Sequence, residues 1–108
     1  MKLTEQEIHD AALRAAAMAS SATKIIVFGS YARGDATADS DLDLLVVEKE
    51  IQDRTREYVR LREAIGALGV GVDLLLCSEA EFEQRRQWWA TPLYWADREG
   101  KVLYESVH

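Results

Sequence analysis

The sequence has 108 residues, of which 48% are hydrophobic and 30% charged, the proportions of one small folded domain rather than of a disordered or fibrous chain. Nineteen acidic residues against thirteen Lys and Arg leave a formal charge of -6, which argues against the concentrated basic surface that holds long nucleic acid or an acidic membrane. One cysteine and two histidines rule out an internal disulfide, an all-cysteine zinc site and a His-rich metal centre.

The start is charged and polar (Lys2, Glu5, Glu7, Asp10) and lacks the apolar run of a signal peptide. No stretch is long enough to span a bilayer, so a cytoplasmic protein is expected. Thr4 with Glu7 makes a capping box ahead of Ile8, Ala12, Ala15 and Ala19, which predicts a first helix ending near Ser20 and Ser21. Residues 24–28 (KIIVF) form a short β-rich apolar run stopped by Gly29, the pattern of a buried strand. The polar segment GSYARGDATADS follows, with room for one helical turn near Ser30 to Arg33. Residues 41–47 (DLDLLVV) are a second strand.

A second long helix is expected over residues 53–68, with Tyr58, Leu61, Ile65 and Leu68 on its apolar face and Gly69 as its stop. Val70 to Cys77 then forms a third strand, interrupted by Asp73. Ser78 and Glu81 open a further helix through a capping box, Pro92 starts a short one ending near Gly100, and Val102 to Tyr104 closes the chain as a strand. The helical crossover between the second and third strands predicts that they run parallel. The whole reads as one α/β domain over residues 1–108.

Three carboxylates stand where a core is expected. Alternation along a strand puts Asp41 and Asp43 on one face, continued inward by Leu45 and Val47, with Leu42, Leu44 and Val46 opposite. Two adjacent carboxylates repel unless they share a cation, and oxygen-only ligands favour Mg2+ or Mn2+ over zinc. Asp73, amid VGVDLLLC, is costly to bury unpaired, and parallel pairing brings it to face the Asp41 and Asp43 pair. The plainer alternative leaves all three at solvated strand edges. Gly29 and Ser30, directly after the first strand, permit a tight turn whose backbone and hydroxyl approach phosphate oxygens. Arg33 meets another phosphate or braces the loop.

These residues spell Gly29-Ser30, ten intervening residues, then Asp41-x-Asp43. The words FGSYARG (28–34), SDLDLLV (40–46) and VDLLL (72–76), together with REGKVLYE (98–105), give a sequence that resembles the DNA polymerase beta-like nucleotidyltransferase superfamily. It is most similar to that superfamily's small stand-alone members, the minimal nucleotidyltransferases of the MNT or MntA type. The resemblance covers nearly the whole chain. It implies a small polymerase-beta-like fold with a short mixed β-sheet and helices packed mainly on one side. It further implies that Gly29 and Ser30 hold the triphosphate of ATP, and that Asp41, Asp43 and Asp73 ligate two Mg2+ ions. The extra helical domain with which larger relatives hold base and acceptor is absent. By the same resemblance, the expected partner is an adjacently encoded HEPN-domain ribonuclease toxin, silenced by transfer of AMP to a tyrosine hydroxyl. The alternatives are an antitoxin that masks its partner by contact alone, and a nucleotidyltransferase acting on a small molecule or RNA.

The remaining polar residues have plainer readings. His9 is a solvated or capping helix residue, Cys77 ordinary packing and His108 a terminal residue. Glu48, Glu50 and Asp53 are expected on a solvated edge and loop. Trp88, Trp89 and Trp95, beside Arg85 and Arg86, fit either a core or a partner surface.

Overall fold

The computed structural model describes residues 2–106. In chain order these form α1 (Glu5–Met18), β1 (Ala22–Phe28), α2 (Ser30–Arg33), β2 (Leu42–Glu48), α3 (Arg54–Ile65), β3 (Val72–Ser78), α4 (Glu79–Arg85), α5 (Pro92–Glu99) and β4 (Lys101–Glu105). Helix starts are set by side chains close in sequence. Glu7 N donates to Thr4 Oγ1 at 3.1 Å and Thr4 N donates to Glu7 Oε1 at 2.9 Å. Ser78 and Glu81 repeat the exchange at the head of α4, both bonds at 3.1 Å. Asp53 caps α3, and Thr91 caps α5 with Pro92 in the first turn.

The four strands form one sheet in the order β3-β2-β1-β4, with β2 and β3 parallel and the other pairs antiparallel. The α3 crossover is what lets β2 and β3 run in the same direction. β2 is apolar on both sides over its second half because both sides are covered. Leu42, Leu44 and Val46 pack with Ile25 and Val27 against Ala11, Ala12 and Ala15 of α1 and Leu61 and Ile65 of α3. The alanines carry no bulk beyond Cβ, so α1 lies close to the sheet. Leu45 and Val47 face the other way, into Phe82 of α4 and Leu93 and Ala96 of α5. Each fully buried leucine contributes about 2 kcal/mol. The two long helices therefore share one face, and the short α4 and α5 close the second.

Several local expectations are corrected. α3 ends at Ile65 with Gly66, φ 73°, as its cap, rather than at Gly69. Arg14 reaches across from α1 to the last carbonyls of α3, Nε to Ala64 O at 3.1 Å and Nη2 to Ile65 O at 2.8 Å, which satisfies them without another turn. The buried stripe of α3 is Glu57, Leu61 and Ile65; Tyr58 is exposed, and Leu68 packs onto the core from beyond the helix. β3 is an edge strand paired only with β2, so Asp73 is exposed rather than enclosed by apolar neighbours. Glu48, expected on a solvated edge, is wholly buried at the end of β2, whereas Glu50 and Asp53 are exposed.

His9 is exposed on α1. Cys77 is buried and its thiol is pushed up to about 12, chiefly by burial, which makes it a packing residue. His108 lies outside the described residues. Among the described residues no helix is long and apolar enough to cross a membrane.

Candidate active site

β1 stops at Phe28 because Gly29 turns the chain at φ 72°, a conformation open to glycine. The single turn of α2 follows, with Ala32 N and Arg33 N donating to Gly29 O at 3.1 and 3.0 Å. Gly34, in the left-handed conformation, ends it. The next loop is locked by Thr37 and Ser40: Thr37 N donates to Ser40 Oγ at 2.8 Å and Ser40 N to Thr37 O at 3.1 Å. That turn delivers Asp41 to the mouth of β2.

Sheet register then gathers the carboxylates. Parallel pairing sets Asp43 directly opposite Asp73, and antiparallel pairing sets Asp43 opposite Phe28, the residue before Gly29. A Cβ added at Gly29 would collide with the Asp43 carboxylate, and one added at Gly71 would collide with that of Asp41. Two glycines thus leave room for two acids. Burial is the main cause that pushes Asp43 up from its ordinary 3.8 to about 6; the charge and hydrogen bond of Asp73 and the charge of Asp41 add to it, and Arg33 works the other way.

None of the three aspartates forms an ion pair among the described residues. Oxygen-only, unpaired and mutually repelling donors fit a hard divalent cation. Among the described residues no group of three acidic, His or Cys side chains is placed so that it could hold a metal ion. Asp43 and Asp73 stand together, while the Asp41 carboxylate lies against Gly71.

The Ser30 hydroxyl makes no hydrogen bond among the described residues, so it is free to donate to a ligand. Arg33 braces the loop: Nε lies 3.4 Å from Asp35 Oδ2 and Nη1 3.4 Å from Glu99 Oε2. Gly71 and Glu99 are the two positions that sequence reasoning missed here. The first falls in VGVDLLLC and the second in REGKVLYE, both inside stretches already singled out.

A cleft of about 300 Å³ opens beside the carboxylates, lined by Phe28, Asp43, Asp73, Leu75 and Pro92. Pro92 ties it to the start of α5 and hence to the preceding aromatic segment. Trp88, Trp89 and Trp95 are 63%, 73% and 46% exposed, which settles them as surface residues. They are nonetheless ordered: Trp95 Nε1 donates to Trp89 O at 2.9 Å, and Tyr94 meets the Trp95 ring edge-on at 5.0 Å. Arg86 is held by Glu83 at 3.0 Å and Asp97 at 3.9 Å, whereas Arg85 is exposed.

The role of Gly71 is directly testable. Its φ lies outside the left-handed region, so Gly71→Ala introduces no backbone strain, and the colliding atoms belong to the mobile end of Asp41. The expected result is a thermal midpoint within a few degrees of wild type with the activity of the site reduced about 10- to 100-fold, since small misplacements of reacting groups have costs of that order. Unchanged activity would show that the position of Asp41 does not matter.

Residues 12–92 match the Nucleotidyltransferase domain family, and the chain belongs to it. Among curated relatives it is similar to Protein adenylyltransferase MntA of Thermococcus cleftensis, at 46% identity over 56 residues that cover 51% of this chain and 56% of the relative. The match thus spans a little over half of that relative's length. Among solved structures the fold is similar to a toxin-antitoxin crystal structure with AMP-PNP, at TM-score 0.66 and 22% identity, covering 96% of this chain and 75% of the other. It is also similar to a structure of tri-AMPylated Shewanella oneidensis HEPN toxin in complex with MNT antitoxin, at TM-score 0.61 and 18% identity, covering 95% and 74%. At these identities the structural likenesses establish the fold.

Proposed function

We propose that this chain is a Mg2+-dependent protein adenylyltransferase, one minimal domain over residues 1–108, which moves AMP from ATP to a tyrosine hydroxyl of a HEPN-type toxin and so acts as its antitoxin. The observation that carries this reading is the packing of the Gly29 turn against Asp43, with Asp73 in register beside it. It sets a backbone turn with a free hydroxyl next to an unpaired row of carboxylates. The adenylyltransferase name of the Thermococcus relative supports the reaction, and the two toxin-antitoxin likenesses support the partner.

Asp41, Asp43 and Asp73 are the residues that would hold Mg2+ or Mn2+. When bound, two such ions would neutralise the carboxylates and the triphosphate and lower the pKa of the acceptor hydroxyl. The chain's own part is alignment. Gly29 lets the backbone approach the phosphates, and the Ser30 hydroxyl donates to a phosphate oxygen. Arg33 exchanges two exposed ion pairs, each worth little, for the triphosphate. Asp73, exposed at the edge of the sheet, would take the acceptor's proton as the acceptor oxygen bonds to the α-phosphorus and the bond to the departing pyrophosphate breaks.

The test is incubation with ATP, Mg2+ and the protein encoded beside this one, read by intact mass. The expected result is a gain of one AMP per modified tyrosine. A tight complex with unchanged masses would establish the contact-only antitoxin instead.

A further inference from the structure

Tyr58, which the spacing of α3 assigned to a buried face, is 39% exposed. Its surroundings are set by the free edge of β3. Alternate carbonyls there point toward β2 and away from it: Gly71 O, just ahead of the strand, accepts from Leu42 N at 2.8 Å, whereas Val72 O accepts from Arg62 Nη1 at 3.0 Å and Leu76 O from Arg54 Nη1. Arg54, Tyr58 and Arg62 are four residues apart and share one face of α3. The two guanidiniums thus pin this stripe to the strand edge, and Tyr58 stands between them at the level of Leu74, one residue along from Asp73.

Tyr58 also lines the cleft beside the carboxylates, together with Asp43, Asp73 and Leu74. Among the residues lining that cleft it carries the one hydroxyl. That hydroxyl makes no hydrogen bond among the described residues, and among them Arg62 forms no ion pair. A free phenol therefore shares an open cleft with the unpaired aspartates and has an unpaired positive charge one helical turn away.

We propose that Tyr58 is an acceptor for the chain's own transfer reaction, a modification site inside the catalytic cleft; this rests on the nucleotidyl-transfer reading above. Tyr58 Oη would bond to the α-phosphorus of ATP as the bond from that phosphorus to the bridging oxygen breaks. Pyrophosphate leaves with the electron pair, and the phenolic proton passes to Asp73. The products are O-adenylyl-tyrosine and pyrophosphate. The new phosphodiester carries one negative charge, and Arg62 is the neighbouring cation that would meet it.

The experiment incubates the full chain alone with ATP and Mg2+, reads it by intact mass and peptide mapping, and runs the reaction with the protein encoded beside this one in parallel. The expected result is a gain of one AMP on Tyr58, with a rate per molecule that does not change on dilution, because acceptor and site belong to one chain. The gain should be lost in Tyr58→Phe, which keeps the ring, and in Asp43→Asn. Nitration gives a readout independent of turnover. A saturating ATP analogue with a methylene group between the α- and β-phosphates, which cannot transfer AMP, should shield Tyr58 from the reagent. AMP on the partner with none on Tyr58, an adduct retained by Tyr58→Phe, a rate that falls on dilution, or an unshielded Tyr58 would overturn the proposal and leave the transfer reading in place. No AMP on either protein would overturn both.

Discussion

Asp43→Asn should reduce AMP transfer about 10³-fold or more while making the metal-free protein more stable near neutral pH. The loss would follow from removing a charge that, on the proposed function, holds a metal ion worth several kcal/mol of transition-state stabilisation. The gain follows from the environment of Asp43. Its folded pKa is raised from 3.8 to about 6, so its contribution to stability is fully present below the unfolded value and is lost as pH rises through the folded one. The midpoint of Asp43→Asn should therefore exceed that of wild type by a margin that opens as pH climbs through this window without metal. Adding Mg2+ at neutral pH should narrow the margin by binding native wild type. Paired melts across that range check the sign. A constant margin, or one that shrinks with rising pH, would mean that the Asp43 carboxylate is not disfavoured by the fold.

Transfer to the folded partner should exceed transfer to a short peptide carrying the same tyrosine by about 10²-fold in kcat/KM. The cleft beside Asp43 is open, and among the described residues no additional layer closes over the adenine or the acceptor. Docking of the proposed partner would supply alignment, and poor alignment has a cost of that order. Trp88 and Trp89 are the most exposed of the large apolar side chains, and they sit just ahead of Pro92 at the cleft. Exposed tryptophans of this kind serve as interface anchors. Trp89→Ala should raise KM for the folded partner about 30-fold, equivalent to roughly 2 kcal/mol, and leave the peptide unaffected. Equal kcat/KM for partner and peptide would show that the small domain orients its acceptor unaided.

What was legible beforehand was what local chemistry determines. The capping boxes of Thr4 with Glu7 and of Ser78 with Glu81 appear where expected, because each involves residues three apart. The glycine at the end of β1 and the alternation of Asp41 and Asp43 likewise place the site at one end of the sheet. The parallel direction of β2 and β3 follows from the helical crossover between them, and Asp43 and Asp73, each the second residue of its strand, then stand in register.

The misreadings arose where a distant element intervenes. α3 stops early because Arg14, fifty residues away in sequence, takes up its last carbonyls. Asp73 is exposed because the strand order leaves β3 at the edge, which its own apolar run does not reveal. Glu48 is buried because Ser21, from the turn between α1 and β1, and Glu57, from α3, close over it. A carboxylate at the end of a strand ordinarily signals solvent, and only the tertiary structure shows otherwise. Gly71 and Glu99 became visible in the same way, the first through what its missing side chain makes room for and the second through its contact with Arg33.

The most direct measurement of the central claim is transfer to the folded partner from ATP labelled at the α-phosphate or at the γ-phosphate, with wild type and Asp43→Asn run side by side. The aspartate site described above predicts label on tyrosine from the α-labelled nucleotide only, and only with wild type. Label arriving from the γ-phosphate, or equal α-label from Asp43→Asn, would contradict it.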